Sequence, residues 1–207
     1  MREVSQIADY HIHTKYSKDC LLEPRKIVQK ALKKGLTTIG VTDHNTIKGG
    51  LAVKEINRTS LNVIVGAEIC TDKGEIIGLY LEEEIKSRKL KEVIKEIKKQ
   101  EGKVFVPHPF DLLRKTSIRD DIYEIIDFID YIEGYNGRNP LNYFNKKAQE
   151  FGKQHNIKIL NGSDAHHLFE IGHVSNTFFG SFTSKIGIIL TKLIQFLLYC
   201  KLISKPK

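Results

Sequence analysis

Along the chain, short runs of β-branched and apolar residues alternate with segments whose apolar positions recur every three to four residues. The runs Ile7–His13, Thr37–Thr42, Val63–Ala67, Val104–Pro107, Phe128–Gly134 and Ile157–Gly162 read as strands. Ile27, Val28, Ala31 and Leu32 share one helical face, and Leu90, Val93, Ile94 and Ile97 share another. Further helices are expected near Ile118–Ile126 and Pro140–His155. A glycine-containing break at Thr71–Gly74, between two apolar runs, predicts a hairpin inserted after the third strand.

Repeated β-α units imply a parallel sheet or barrel with right-handed crossovers. A regular eight-unit barrel needs about 250 residues, and this chain has 207. The expected fold is therefore α/β, a distorted seven-stranded (β/α) barrel. Residues 1–207 read as one domain, closed by a helical segment at about 183–201. The most apolar stretch, Ile186–Cys200, spans 15 residues and is interrupted by Lys192 and Gln195. A membrane span takes about 20 largely apolar residues, so this stretch reads as a docking helix and no stable membrane insertion is expected.

Composition narrows the class. Hydrophobic residues make up 41% and charged residues 28%, which excludes general disorder. Cys20, Cys70 and Cys200 are odd in number and unclustered, so neither a disulfide framework nor a cysteine zinc site is expected. Cys20 and Cys70 read as small buried hydrophobes, and the setting as reducing and cytoplasmic. The net charge of +8 favours anionic partners. The stretch Glu82–Glu101 sets seven basic against six acidic residues, as a solvated helix face does, and is no nucleic-acid patch by itself.

The chemistry is expected where polar residues follow the strands, because the C-terminal strand ends of a β/α barrel converge on one rim. His11 and His13 point to the same side of a strand and can grip one ion. Glu68 and Asp164 arrive at later strand ends and complete a site of two imidazoles and two carboxylates, which suits Zn, Mn or Fe. Asp19, His44 and His166 offer a second cluster. Glu68, with two oxygens, can bridge to a further ion held by His108. Three carboxylates cancel only part of the charge on two or three divalent ions, so the filled rim should attract an anionic substrate. Asp43 is expected to orient a neighbouring imidazole, and Asp9 to serve as a supporting or turn residue. His155, His167 and His173 are expected to be structural or solvent-facing.

The motifs DYHIHT with Asp19 behind it, GVTDHNT, VGAE, VPHPFD and GSDAH, in this order from about Asp9 to His166, resemble the polymerase and histidinol phosphatase (PHP) superfamily. The likeness is to its small stand-alone phosphoesterases. It implies a distorted seven-stranded barrel, a centre of two or three divalent ions and hydrolysis of phosphate esters. It carries the metal-ligand role to His11, His13, Asp19, His44, Glu68, His108, Asp164 and His166. Many relatives place a histidine in the hairpin, in a motif resembling His-Leu-Leu-Gly. Here Gly74-Glu75-Ile76-Ile77-Gly78-Leu79 has none, so the ion between Glu68 and His108 is expected to be held more weakly or to recruit a water or another side chain, which the strand ending in Glu133 and Asn136 could supply.

In the mechanism this implies, a metal-bound water is deprotonated near neutral pH and attacks phosphorus in line. Arg114 and Arg138 are candidate phosphate clamps, and with Glu68 and Asp164 they make the expected catalytic set. The substrate is expected to be a phosphorylated small metabolite or a nucleotide. The alternatives are an exonuclease acting on RNA or DNA ends, a silent metal-binding scaffold, and a related hydrolase of C–N bonds.

Overall fold

A computed structural model describes residues 7–174. The predicted C-terminal segment, its apolar stretch and Cys200 lie outside the described residues. The elements are β1 (Ala8–Ile12), α1 (Pro24–Lys33), β2 (Thr38–His44), α2 (Lys48–Ile56), β3 (Asn62–Thr71), β4 (Gly74–Leu79), α3 (Leu90–Lys99), β5 (Lys103–Val106), a 3₁₀ segment (Arg119–Phe128), β6 (Tyr131–Asn136), α4 (Asn142–Gln154) and β7 (Lys158–Gly162). The seven strands form one sheet in sequence order. All neighbours are parallel except β4, which runs antiparallel to both β3 and β5. The chain beyond β7 returns to β1, where His13 N–H donates to the Ala165 carbonyl at 3.0 Å and Asp164 N–H to the His11 carbonyl at 2.8 Å. The result is the nearly closed, distorted barrel expected from the sequence.

Local chemistry sets the elements. Pro24 opens α1, where a missing N–H costs nothing. Gly35, at φ 71°, ends it. Gly35 N–H then bonds Leu32 O at 2.9 Å and Leu36 N–H bonds Ala31 O at 3.0 Å, the paired closure of a Schellman motif. Helix α3 buries Leu90, Val93, Ile94 and Ile97 against the sheet, each contributing about 1.5–3 kcal/mol. Inside the barrel, Ile64, Ile77, Leu79 and Phe105 pack with Tyr10, Tyr131 and Leu160. These seven come from six strands, which can meet only along the barrel axis.

Several expectations change. Helix α2 is new: Gly49 and Gly50 look like breakers, yet both are buried in it. A Cβ on Gly49 would overlap the Asp43 carboxylate, and one on Gly50 would crowd Val65, so the glycines let the helix approach the sheet. The segment near Ile118–Ile126 is 3₁₀ rather than α-helical, in keeping with its β-branched and aspartate residues. The strand expected at Phe128–Gly134 begins only at Tyr131. Strand β3 continues past Glu68 to Thr71, so Glu68 lies within a strand, not at its end. That extension carries Cys70 into solvent, correcting its expected burial, whereas Cys20 is buried. Among the described residues no helix is long and apolar enough to cross a membrane.

Candidate metal centre

Strand alternation and closure bring the polar residues to one mouth. In β3 the inward face runs Ile64, Gly66, Glu68; in β4 it runs Leu79, Ile77, Glu75. Glu68 therefore stands above the apolar plug, directly across the ladder from Ile77. His11 and His13 leave β1 beside Asp164, which follows β7, and His108 follows β5. All are almost wholly buried. Two of these turns use left-handed backbone, with φ 55° at Asp164 and 29° at His108, conformations that persist at sites where the surroundings impose them.

The eight predicted ligand positions do meet. His11 Nε2 and His13 Nε2 face each other at 3.1 Å. Glu68 Oε2 lies 3.4 Å from both nitrogens, and Asp164 Oδ1 lies 3.7 Å and 3.4 Å from them. Next to this group, Asp19 Oδ2 lies 3.2 Å from His166 Nε2 and 3.5 Å from His44 Nε2. His108 Nε2 is 3.0 Å from Glu68 Oε1.

The other ring nitrogens are anchored. His11 Nδ1 donates to Glu133 Oε1 at 3.0 Å. His166 Nδ1 donates to the Asp164 carbonyl at 3.0 Å. His13 Nδ1 lies 3.1 Å from Ser17 Oγ, whose hydroxyl donates to Asp43 Oδ1 at 2.6 Å. Asp43 thus acts on an imidazole through Ser17 rather than by direct contact. Asp9 accepts N–H groups from His11, Ser163 and Gly172, tying the barrel seam. With Nδ1 occupied, Nε2 of each of these imidazoles presents a lone pair to the centre.

The donor set fits divalent cations. Asp164 Oδ1 and His166 Nε2 are buried with no hydrogen-bond partner among the described residues, a costly state for groups aimed at one space. His11, His13 and Glu68 form one group of converging donor atoms, His13, His44 and His166 another, and His44, Glu68 and Glu75 a third. Without an ion, the facing Nε2 atoms of His11 and His13 need one proton between them. Burial, reinforced by His166, lowers His13 to about 3; burial also opposes charge on His11, but Glu68 and Asp164 outweigh it and raise that residue.

Carboxylates respond in the same way. The imidazoles of His166 and His44, 3.2 Å and 3.5 Å from Oδ2, hold Asp19 below the ordinary carboxylate range. Burial disfavours ionised Asp164, but Arg114 and His11 outweigh it. His44 is raised to about 9, burial being overcome by Asp19, Glu68 and Glu75.

Two residues change roles relative to the sequence reading. Glu133 was one candidate to replace the missing hairpin histidine, yet its oxygens are already engaged: Oε1 with His11, Oε2 with His108 N–H at 2.7 Å and Asn136 Nδ2 at 2.9 Å. It and Asn136 brace the centre from behind. Glu75 is the missed residue. It is buried, with Oε2 3.6 Å from His108 Nε2 and Oε1 3.9 Å from His44 Nδ1. Its parity with Ile77 and Leu79 was the available signal. Gly162 makes room for this bracing, since a Cβ there would overlap both His11 and Glu133.

A cavity of about 430 Å³ opens over the centre, lined by Asp19, His44, Arg114, Arg138, Asp164 and His166. Arg114 Nη2 donates to Asp164 Oδ2 at 2.6 Å, and its Nε to Asp111 Oδ2 at 3.3 Å. The Arg138 N–H donates to Asn136 Oδ1 at 2.9 Å. Both predicted clamps therefore lie on the cavity wall. The remaining histidines sit elsewhere: His155 against Phe151, His167 stacked on Phe169, and His173 buried beside Tyr135.

Comparison with known proteins follows the same geometry. The PHP domain matches residues 9–197. An uncharacterised protein of Methanocaldococcus jannaschii, MJ1587, is 42% identical over 130 residues, covering 57% of this chain and 75% of that one. A second from that organism, MJ0417, is 34% identical over 171 residues, covering 80% and 67%. Among solved structures, a two-domain protein from Bacteroides vulgatus, described as containing a predicted PHP-like metal-dependent phosphoesterase, superposes with a TM-score of 0.65 at 23% identity. The likeness covers 77% of this chain and 51% of that one, so the chain spans about half of that protein.

Proposed function

The chain belongs to the PHP domain family, and from that premise we propose that it is a metal-dependent phosphoesterase hydrolysing phosphate esters of a small metabolite or nucleotide. The observation that carries this reading is the meeting of His11, His13, Glu68 and Asp164, with donor atoms left unpaired, beneath a cavity walled by two arginines.

Divalent ions bound by His11, His13, Asp19, His44, Glu68, His108, Asp164 and His166 supply Lewis acidity and positive charge for an anionic transition state. The chain's own groups do the rest. Arg114 is pinned by Asp111 and Asp164, so its guanidinium is oriented before a phosphate arrives. Arg138 lies on the same cavity and pairs with phosphate oxygens from its own side. Glu133, Ser17 and the Asp164 carbonyl hold the imidazoles in the tautomer that presents Nε2. The apolar plug below excludes water from all but the mouth. About 430 Å³ suits a phosphorylated small molecule rather than a nucleic-acid duplex.

The test loads the full chain with Mn(II) or Zn(II) and offers an aryl phosphate, nucleotide bisphosphates and a short 5′-phosphorylated RNA. Phosphate release from the small esters is expected. Stepwise RNA shortening without monoester turnover would transfer the site to a nuclease, and metal binding without turnover on any of the three would reduce it to a scaffold.

A further inference from the structure

We infer that Glu75 completes a third divalent-cation position with Glu68 and His108, and that this position prefers a hard ion such as Mn(II) over Zn(II). The inference rests on the metal-centre reading above and assigns a ligand that the sequence motifs do not supply.

Four side chains enclose the space in question. His108 Nε2 lies 3.0 Å from Glu68 Oε1 and 3.6 Å from Glu75 Oε2. On the far side, His44 Nδ1 lies 3.2 Å from Glu68 Oε2 and 3.9 Å from Glu75 Oε1. Imidazoles and carboxylates thus alternate around one gap. Donors held about 2.1 Å from a common ion stand roughly 3.0–3.4 Å apart, so His108 and Glu68 already fit and the His108–Glu75 approach needs a small contraction. His44 uses Nε2 toward Asp19 and His166, while its Nδ1 faces Glu68 and Glu75, with which it also converges, and so closes this position from the far side.

Charge favours an ion there. Glu68 and Glu75 are both buried, and a divalent cation between them offsets both their burial and their mutual repulsion. Asp19, Glu68, Glu75, Asp111, Glu133 and Asp164 carry six negative charges at or beside this mouth when ionised. Two divalent ions with Arg114 and Arg138 merely cancel them; a third leaves the mouth positive, as an anionic substrate requires. Two carboxylates and one imidazole make a harder donor set than the imidazole-rich set a hairpin histidine would give, which moves selectivity from Zn toward Mn.

The experiment strips the full-length protein with chelator, reloads it with Mn(II), Zn(II) or an equimolar mixture, and counts metal per chain by elemental analysis. Low-temperature Mn(II) electron paramagnetic resonance reads the coupling between ions. Wild-type chain should take three Mn(II), and the near-isosteric Glu75→Gln should take two, with the coupled signal lost or simplified. Glu75→His should regain the third ion while shifting the Mn-to-Zn ratio at least about tenfold toward Zn. Circular dichroism and thermal melts check that both variants fold. An unchanged count in a folded Glu75→Gln, or an unchanged Mn-to-Zn ratio in Glu75→His, overturns the inference while leaving the two other clusters standing. Absence of any bound metal in wild type overturns the whole centre, and His13→Ala, which should lower the count with Glu75 intact, separates the two failures.

Discussion

Glu133 Oε1 lies 3.0 Å from His11 Nδ1, on the side of the imidazole opposite the nitrogen that faces Glu68 and Asp164. The carboxylate decides which nitrogen carries the proton, and hence which one offers a lone pair to the centre. The two residues are 122 positions apart. Glu133→Gln puts an amide N–H where an N–H already points, from His11, His108 or Asn136. We expect metal affinity to fall by about 10- to 100-fold with the fold retained, as read by Mn(II) titration beside circular dichroism.

Asp164→Asn should leave the barrel intact, because asparagine tolerates the left-handed backbone (φ 55°) found there. It removes the charge that faces His11, His13 and Arg114. Together with His13→Ala, it should lower kcat on an aryl phosphate by roughly 10³-fold or more. Near-normal turnover in either folded variant would move the chemistry elsewhere.

Gly162→Ala inserts a methyl group between His11 and Glu133. Overpacking of this kind costs about 1–3 kcal/mol and separates the pair described above. Urea unfolding should show the lost stability, and metal titration a weaker centre. A variant as stable as wild type with unchanged metal binding would contradict the tight packing.

Protonated His44 stabilises the metal-free fold, because Asp19, Glu68 and Glu75 raise its pKa to about 9 from an ordinary value of 6.5. That contribution is complete below about pH 6.5 and is lost as pH rises through about 9. The chelator-treated chain should therefore melt at progressively lower temperature across this window. A bound ion must displace protons from the same imidazoles, so metal affinity should rise over it. Thermal scans from pH 6 to 9, with chelator and with Mn(II), should slope in opposite directions. His44→Asn should flatten the chelator series; an undiminished slope there would assign the effect to other groups.

Much of the barrel was readable along the chain. The apolar face of α1, the Leu90–Ile97 face of α3 and the hairpin after β3 depend on neighbours within a few residues, and local periodicity reports such contacts faithfully. Helix α2 escaped because Gly49 and Gly50 meet the sheet, a relation their own segment does not show. The convergence of seven candidate positions was legible because each is a polar residue on or just beyond an apolar strand, whereas Asp19 lies in the loop between β1 and α1.

The sequence by itself determined the strand–helix alternation, the types of donor available and the rim on which they gather, since these follow from short-range pattern and from strand polarity. Only the tertiary structure decided how the donors divide. Pairing of Cys70 with Glu75 across the hairpin, and closure of the seam between His11 and Asp164, set which carboxylate faces an ion and which braces a ring from behind. Glu75 and Glu133 are alike in type and in burial. Their roles differ because strand register, which depends on contacts far apart in the chain, turns one toward His108 Nε2 and the other toward His11 Nδ1.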